Sequence, residues 1–168
     1  MIFNVFKSRW LRKQQEKLRK ETRERPPGKR SSMVVLYDVE LEKSTLFLEQ
    51  WSKALGFKKL TVLGFTEDGK AVSTASRVML NSKTIKWSGG IADPFLEDVL
   101  KSNYDLQINF FNPKEDLHNF VALALKATIK VGLPSQEQEL YDLAIDVNME
   151  QKDLFITELK KYLNIITK

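Results

Sequence analysis

The chain of 168 residues has no cysteine. Disulfide scaffolds, cysteine-held zinc, iron–sulfur clusters and thiol nucleophiles are therefore excluded. It has a single histidine, His118, so multi-histidine metal sites are excluded too and one imidazole remains for acid–base work. No run approaches the roughly 18 apolar residues that cross a bilayer. Met1-Ile2-Phe3-Asn4-Val5-Phe6 is apolar but short, and positive charge follows it, the reverse of a secretory signal. Cytoplasmic residence is the expectation, with a peripheral membrane contact as its variant. Neither G-x-G-x-x-G nor G-x-x-x-x-G-K-[ST] occurs, so the dinucleotide fingerprint and the P-loop are both missing. Carboxylates, hydroxyls, lysines and backbone groups remain for chemistry, and the sequence calls for no cofactor and no metal.

What is present suits one soluble domain, with 42% hydrophobic and 29% charged residues in a length that buries a sizeable core unaided. The net charge of +5 is unevenly placed. Residues 1–30 hold eleven Lys/Arg and three Glu, whereas residues 31–168 hold sixteen Lys/Arg and nineteen Asp/Glu. A basic head precedes a mildly acidic body, so anionic partners belong to the head.

Residues 8–25 are rich in Lys, Arg, Gln, Glu and Leu and lack Gly and Pro, which predicts a helix and sets residues 1–25 apart as a basic amphipathic segment. Phe3, Phe6, Trp10, Leu11 and Leu18 make a narrow apolar stripe, and Arg9, Arg12, Lys13, Lys17, Arg19, Lys20 and Arg23 fill the remainder. Pro26-Pro27-Gly28 ends it, giving a linker over 26–32 and an α/β domain over 33–168. Three roles compete for the head. Its apolar stripe packs on the body and the charges are solvated; or it meets RNA or a ribosomal surface through phosphates; or it lies on an anionic membrane with Phe3, Phe6 and Trp10 as interfacial anchors.

Beyond the linker, short apolar runs alternate with amphipathic segments. Strands are predicted at 33–38, 60–66, 83–87, 104–111, 128–132 and 142–147, with 71–82 unassigned. Helices are predicted over 41–55, capped by Gly56; from Asp93-Pro94, burying Phe95, Leu96, Val99 and Leu100; from Asn112-Pro113-Lys114-Glu115, with core residues Leu117, Phe120, Val121, Ala124 and Leu125; and over 150–166, with Phe155, Leu159, Tyr162, Leu163 and Ile166 on one stripe. The order predicts an α/β fold, a Rossmann-like three-layer sandwich with a mainly parallel sheet. Ligands of such sheets lie beyond the carboxyl ends of the strands. That places Asp38, Ser88, Gly89, Gly90 and Asn112 in a candidate ligand site, near Thr66, Glu67, Asn109 and Asp146. The simpler assignments are a turn at Ser88-Gly89-Gly90, a helix or turn cap for Asp38, a solvent-facing His118, and packing roles for Tyr104 and Tyr141.

Three resemblances bear on function. VVLYDVE and TVLGFT place Asp38 and Thr66 as in haloacid-dehalogenase-type phosphohydrolases, which have a carboxylate nucleophile ending the first strand and a Ser/Thr ending a second. The second Asp of their D-x-D is Glu40 here. This resemblance implies a small Mg²⁺-dependent phosphohydrolase with Asp38 and Thr66 as catalytic residues. Tyr104-Asp105-Leu106-Gln107-Ile108 and ALALKATIKVGLP (122–134) are similar to the N-terminal Rossmann-like half of heptosyltransferase-type glycosyltransferases, which implies the fold. Across most of the chain, the basic helix, Asp105–Phe111, Ala127–Gly132, Asp142–Val147 and Glu158–Leu163 resemble small uncharacterised proteins of Bacteroidetes-type bacteria of about this length. That implies a domain family without an assigned activity. The sequence favours a non-enzymatic binding or adaptor domain whose head contacts RNA, the ribosome or a membrane, with the phosphohydrolase as its alternative.

Overall fold

In the computed structural model, residues 2–20, 30–112, 116–134 and 140–166 are described, with side chains from Phe6 onward. β1 (Ser32–Asp38) is buried from Met33 to Tyr37 without alternation. That is the mark of a strand covered on both faces. It lies at the centre of a six-stranded sheet of order β3-β2-β1-β4-β5-β6, with β2 Lys59–Phe65, β3 Arg77–Leu80, β4 Asn103–Phe110, β5 Lys126–Gly132 and β6 Leu143–Ala144. Every pairing is parallel. Val35 faces Val62 on one side and Ile108 on the other. The chain moves outward from β1 to β3, then returns to β4 and moves outward the other way, so the order reverses between β1 and β4.

The side chains of β1 alternate between two cores. Val34 and Leu36 join α1 (Ile2–Lys20), α3 (Pro94–Lys101) and α4 (Asp116–Ala124) through Leu11, Leu96, Val99, Phe120 and Val121. Met33, Val35 and Tyr37 join α2 (Leu46–Leu55) and α5 (Lys152–Ile166) through Leu48, Trp51, Leu55, Phe155, Leu159 and Leu163. The result is an α/β three-layer sandwich of the Rossmann-like kind. Two helix ends form as their sequences predict. Gly56 adopts φ +79° after α2, where a side chain would be strained, and Asp93 accepts a hydrogen bond from the Phe95 amide with Pro94 at the first helical position.

Several predicted boundaries change. The third strand is Arg77–Leu80, within the unassigned stretch, and residues 83–87 are not a strand. There the Asn81 side chain accepts from the Lys83 amide and Thr84 Oγ1 accepts from the Asn81 amide. These bonds fold the chain into turns that leave one isolated bridge, Ile85 to Ile91. The strand expected at 142–147 shrinks to Leu143–Ala144. α2 starts at Leu46 instead of 41, because the Asp38 carbonyl accepts from the Leu41 and Glu42 amides and holds 38–42 in a turn. Phe95, Tyr162 and Ile166 are exposed, not core. His118 is half-buried, not solvent-facing, with its ring centroid 4.0 Å from that of Phe65 and 5.4 Å from that of Phe111. The stretch 21–29, residues 113–115 and the loop 135–139 lie outside the described residues, and with them Arg23 and residues 26–29 of the expected linker, whose last residue, Ser32, already belongs to β1.

Candidate functional site

Where the strand order reverses, β1 and β4 send their following segments apart and a crevice opens at their carboxyl ends. It holds about 560 Å³. Tyr37 and Asp38 come from the end of β1, Phe110 from the end of β4 and Asn112 from just beyond it, Leu133 and Pro134 from the residues that follow β5, and Asp146 to Glu150 from the segment after β6. Glu42 and Phe47 close it from the α2 side and Lys152 from the start of α5. Lys152 Nζ donates to Glu42 Oε2 at 2.6 Å and lies 4.6 Å from the Phe47 ring centroid, a cation held by a carboxylate and an aromatic face together. That ammonium, with the Ser44 amide, holds the Glu42 carboxyl below the usual carboxylate range. The side wall is thus an ion pair in which Lys152 is already engaged.

Of the predicted strand-end residues, Asp38 and Asn112 come together here, while Ser88, Gly89 and Gly90 do not. Asp38 Oδ1 accepts from the Glu40 amide at 2.9 Å, so its carboxylate stabilises the turn that follows β1. Thr66 Oγ1 donates to Glu40 Oε1 at 3.0 Å and accepts from the Asp68 amide. It stands at the end of β2, outside the crevice lining. Among the described residues, no three or more Asp, Glu or His side chains are grouped to hold a metal ion. Glu42 and Lys152 escaped sequence reasoning because 110 residues separate them.

Ser88-Gly89-Gly90 lies beneath α1 instead. Gly89 and Gly90 have φ of +93° and +90°, and the Gly89 amide donates to the Lys86 carbonyl at 2.9 Å. Trp10 covers Gly89 so closely that a Cβ there would stand 2.6 Å from the indole. The same indole meets Phe120 of α4 edge-on at 5.2 Å. Leu11 is buried, and buried Gln15 donates to the Asp116 carbonyl at 3.2 Å. Arg12 pairs with the Asp116 carboxylate at 3.4 Å, and Lys7 donates to the Ser82 carbonyl. The stripe of Lys7, Trp10, Leu11, Gln15 and Leu18 therefore docks α1 on the body.

At 3.6 residues per turn, Phe6, Arg9, Lys13, Lys17 and Lys20 fall within about 80° of one another on the opposite side. All five are exposed. α1 carries seven Lys/Arg against one Glu. Arg12 and Arg19, also exposed, flank the stripe. At its beginning, Phe6, Arg9, Trp10 and Lys13 share a shallow hollow of about 400 Å³ with Trp87 and Ser88. Phe6 is 48% and Trp87 60% exposed. Sequence reasoning missed Trp87, which it assigned to a strand. Its signal is a large aromatic between Lys86 and the Ser88-Gly89-Gly90 turn.

Among the described residues no helix is long and apolar enough to cross a membrane. Comparison with curated proteins and with solved structures gave no match. A family model does match, over residues 5–166, from within α1 to the end of α5. The chain belongs to that family, the family of unknown function DUF6913.

Proposed function

We propose that this protein is an RNA-binding module that engages the sugar–phosphate backbone through the outer face of α1. One observation carries this reading: Arg9, Lys13, Lys17 and Lys20 form a continuous exposed stripe, about 16 Å long at 1.5 Å per residue, on the side of α1 opposite its docked stripe. Such cations neutralise backbone phosphates and release the counterions condensed on the nucleic acid, and that release drives binding without base reading. Phe6 at its beginning, 48% exposed, offers a ring on which an unpaired base can stack. An interfacial membrane helix needs its apolar side for lipid. Here Trp10 and Leu11 are turned into the body, which favours the polyanion over the bilayer.

The test is fluorescence anisotropy of a labelled single-stranded oligouridylate with the full-length protein, beside sedimentation with phosphatidylserine vesicles. Four phosphate contacts give a salt slope of about −2.8, so affinity falls roughly fifty-fold between 50 and 200 mM salt. Changing Arg9, Lys13, Lys17 and Lys20 to Gln abolishes that dependence. Phe6→Ala costs about 1–3 kcal/mol of affinity if a base stacks there. Vesicle binding without RNA binding moves the function to membranes. RNA affinity unchanged by the four Gln substitutions overturns the proposal.

A further inference from the structure

The crevice between β1 and β4 carries more negative charge than the fold neutralises. Among the described residues, Asp38, Glu42, Asp146 and Glu150 line it together with one cation, Lys152. Lys152 is already bound to Glu42. Asp38 has one oxygen engaged by the Glu40 amide, whereas Asp146 and Glu150 are exposed and their carboxylates bond to nothing among the described residues. These carboxylates are spread around the opening instead of converging, since no three acidic groups there are close enough to share a metal ion. Between them the wall is apolar, made of Phe47, Leu133, Val147 and Met149.

This combination selects by exclusion and by fit. A nucleotide meets a negative opening and finds no glycine-rich phosphate loop after β1, where the chain reads Asp38-Val39-Glu40. A compact divalent ion needs oxygens that converge on one point. A flexible cation with charges set apart along a hydrocarbon chain meets both parts of the wall. The protein supplies its own precedent: Lys152 is a primary ammonium on a methylene chain, and it rests in this crevice against a carboxylate and the Phe47 ring. The volume of about 560 Å³ suits a small molecule.

We propose that the crevice binds a small aliphatic di- or polyamine, with its methylenes along Phe47, Leu133 and Met149 and its ammonium groups at Asp38, Asp146 and Glu150. This inference stands apart from the reading of α1.

The experiment is isothermal titration of the full-length protein with spermidine at 50 mM salt, with AMP and Mg²⁺ titrated separately. Spermidine binds at one site, and neither AMP nor Mg²⁺ matches it. Asp146→Asn with Glu150→Gln, both exposed and away from the core, weakens spermidine roughly ten-fold, the scale of two exposed ion contacts. Lys152→Gln releases Glu42 to the ligand and tightens binding several-fold. Thermal midpoints of the variants verify that each is folded, and Asp38→Asn is the second test if the double variant is not. No spermidine binding, AMP or Mg²⁺ binding as tightly, unchanged affinity in the folded carboxylate variant, or weakening by Lys152→Gln each overturns the proposal.

Discussion

Gly89→Ala tests the docking of α1 more directly than any truncation. Two costs arise at this position. The first is backbone strain: φ is +93°, and a side chain in such a conformation costs about 1–3 kcal/mol. The second is a collision: the new Cβ would stand 2.6 Å from Trp10 Cδ1 and 3.0 Å from Cγ. The indole cannot retreat freely because Phe120 lies edge-on at 5.2 Å. Overpacking of this kind costs about 1–3 kcal/mol. Gly90→Ala separates the two, because Gly90 has φ +90° and nothing within 4 Å of its Cβ position. It therefore shows the backbone cost alone. Trp10→Ala costs about 2 kcal/mol, below the range for a fully buried Trp because Trp10 is half-buried. In the Trp10→Ala background the collision is gone, so Gly89→Ala falls to the cost of Gly90→Ala. The resulting coupling is about 1–3 kcal/mol, read from urea midpoints at constant m. Additive costs, or equal costs for Gly89→Ala and Gly90→Ala in the wild-type background, would refute the placement of the indole.

Two further perturbations follow from named bonds. Asp93→Ala removes both the cap bond to the Phe95 amide at 2.8 Å and the acceptor of the Ser73 hydroxyl at 2.6 Å; it lowers stability by about 1–2 kcal/mol in thermal or urea unfolding, and Asp93→Asn recovers most of this. The Glu42 carboxyl is held low by Lys152, so its stabilising contribution is present above the unfolded carboxylate value of about 4.3 and is lost as pH falls through the lower folded value. Glu42→Gln accordingly makes the acid limb of the stability curve shallower, while a steeper limb would contradict the ion pair.

The layer architecture was legible because its signals are local. The run Met33–Tyr37, the caps at Gly56 and Asp93, and the alternation of apolar runs with amphipathic segments each lie within a few residues of sequence. The errors arose where local hydrogen bonds, from side chains at Asn81 and Thr84 and from the backbone at Asp38, redirected the chain. Asn81 and Thr84 turn the chain before residues 83–87 can extend, and the Asp38 turn delays α2 to Leu46. The candidate site was half legible. Strand-end logic groups Asp38 and Asn112, which the structure brings to one crevice, but Ser88-Gly89-Gly90 does not follow the third strand, so it falls under Trp10 instead. Lys152 and Glu42 meet across 110 residues and have no local signature. The basic face of α1 was visible as composition. Which of its sides docks depended on Gln15 and Asp116, 101 residues apart.

That last separation has a consequence for the growing chain. The partners that cover Trp10, Leu11 and Gln15 are supplied by residues 89 and 116–125. At about 5–20 residues per second, α1 therefore spends roughly 5–20 seconds with its apolar stripe uncovered. Throughout that interval Trp10, Leu11 and Gln15 lack the partners that cover them in the folded protein, and a segment of this length is only marginally helical by itself. Completion of α4 is the event that supplies those partners, so the protein acquires a single outward side only when most of its sequence has been made.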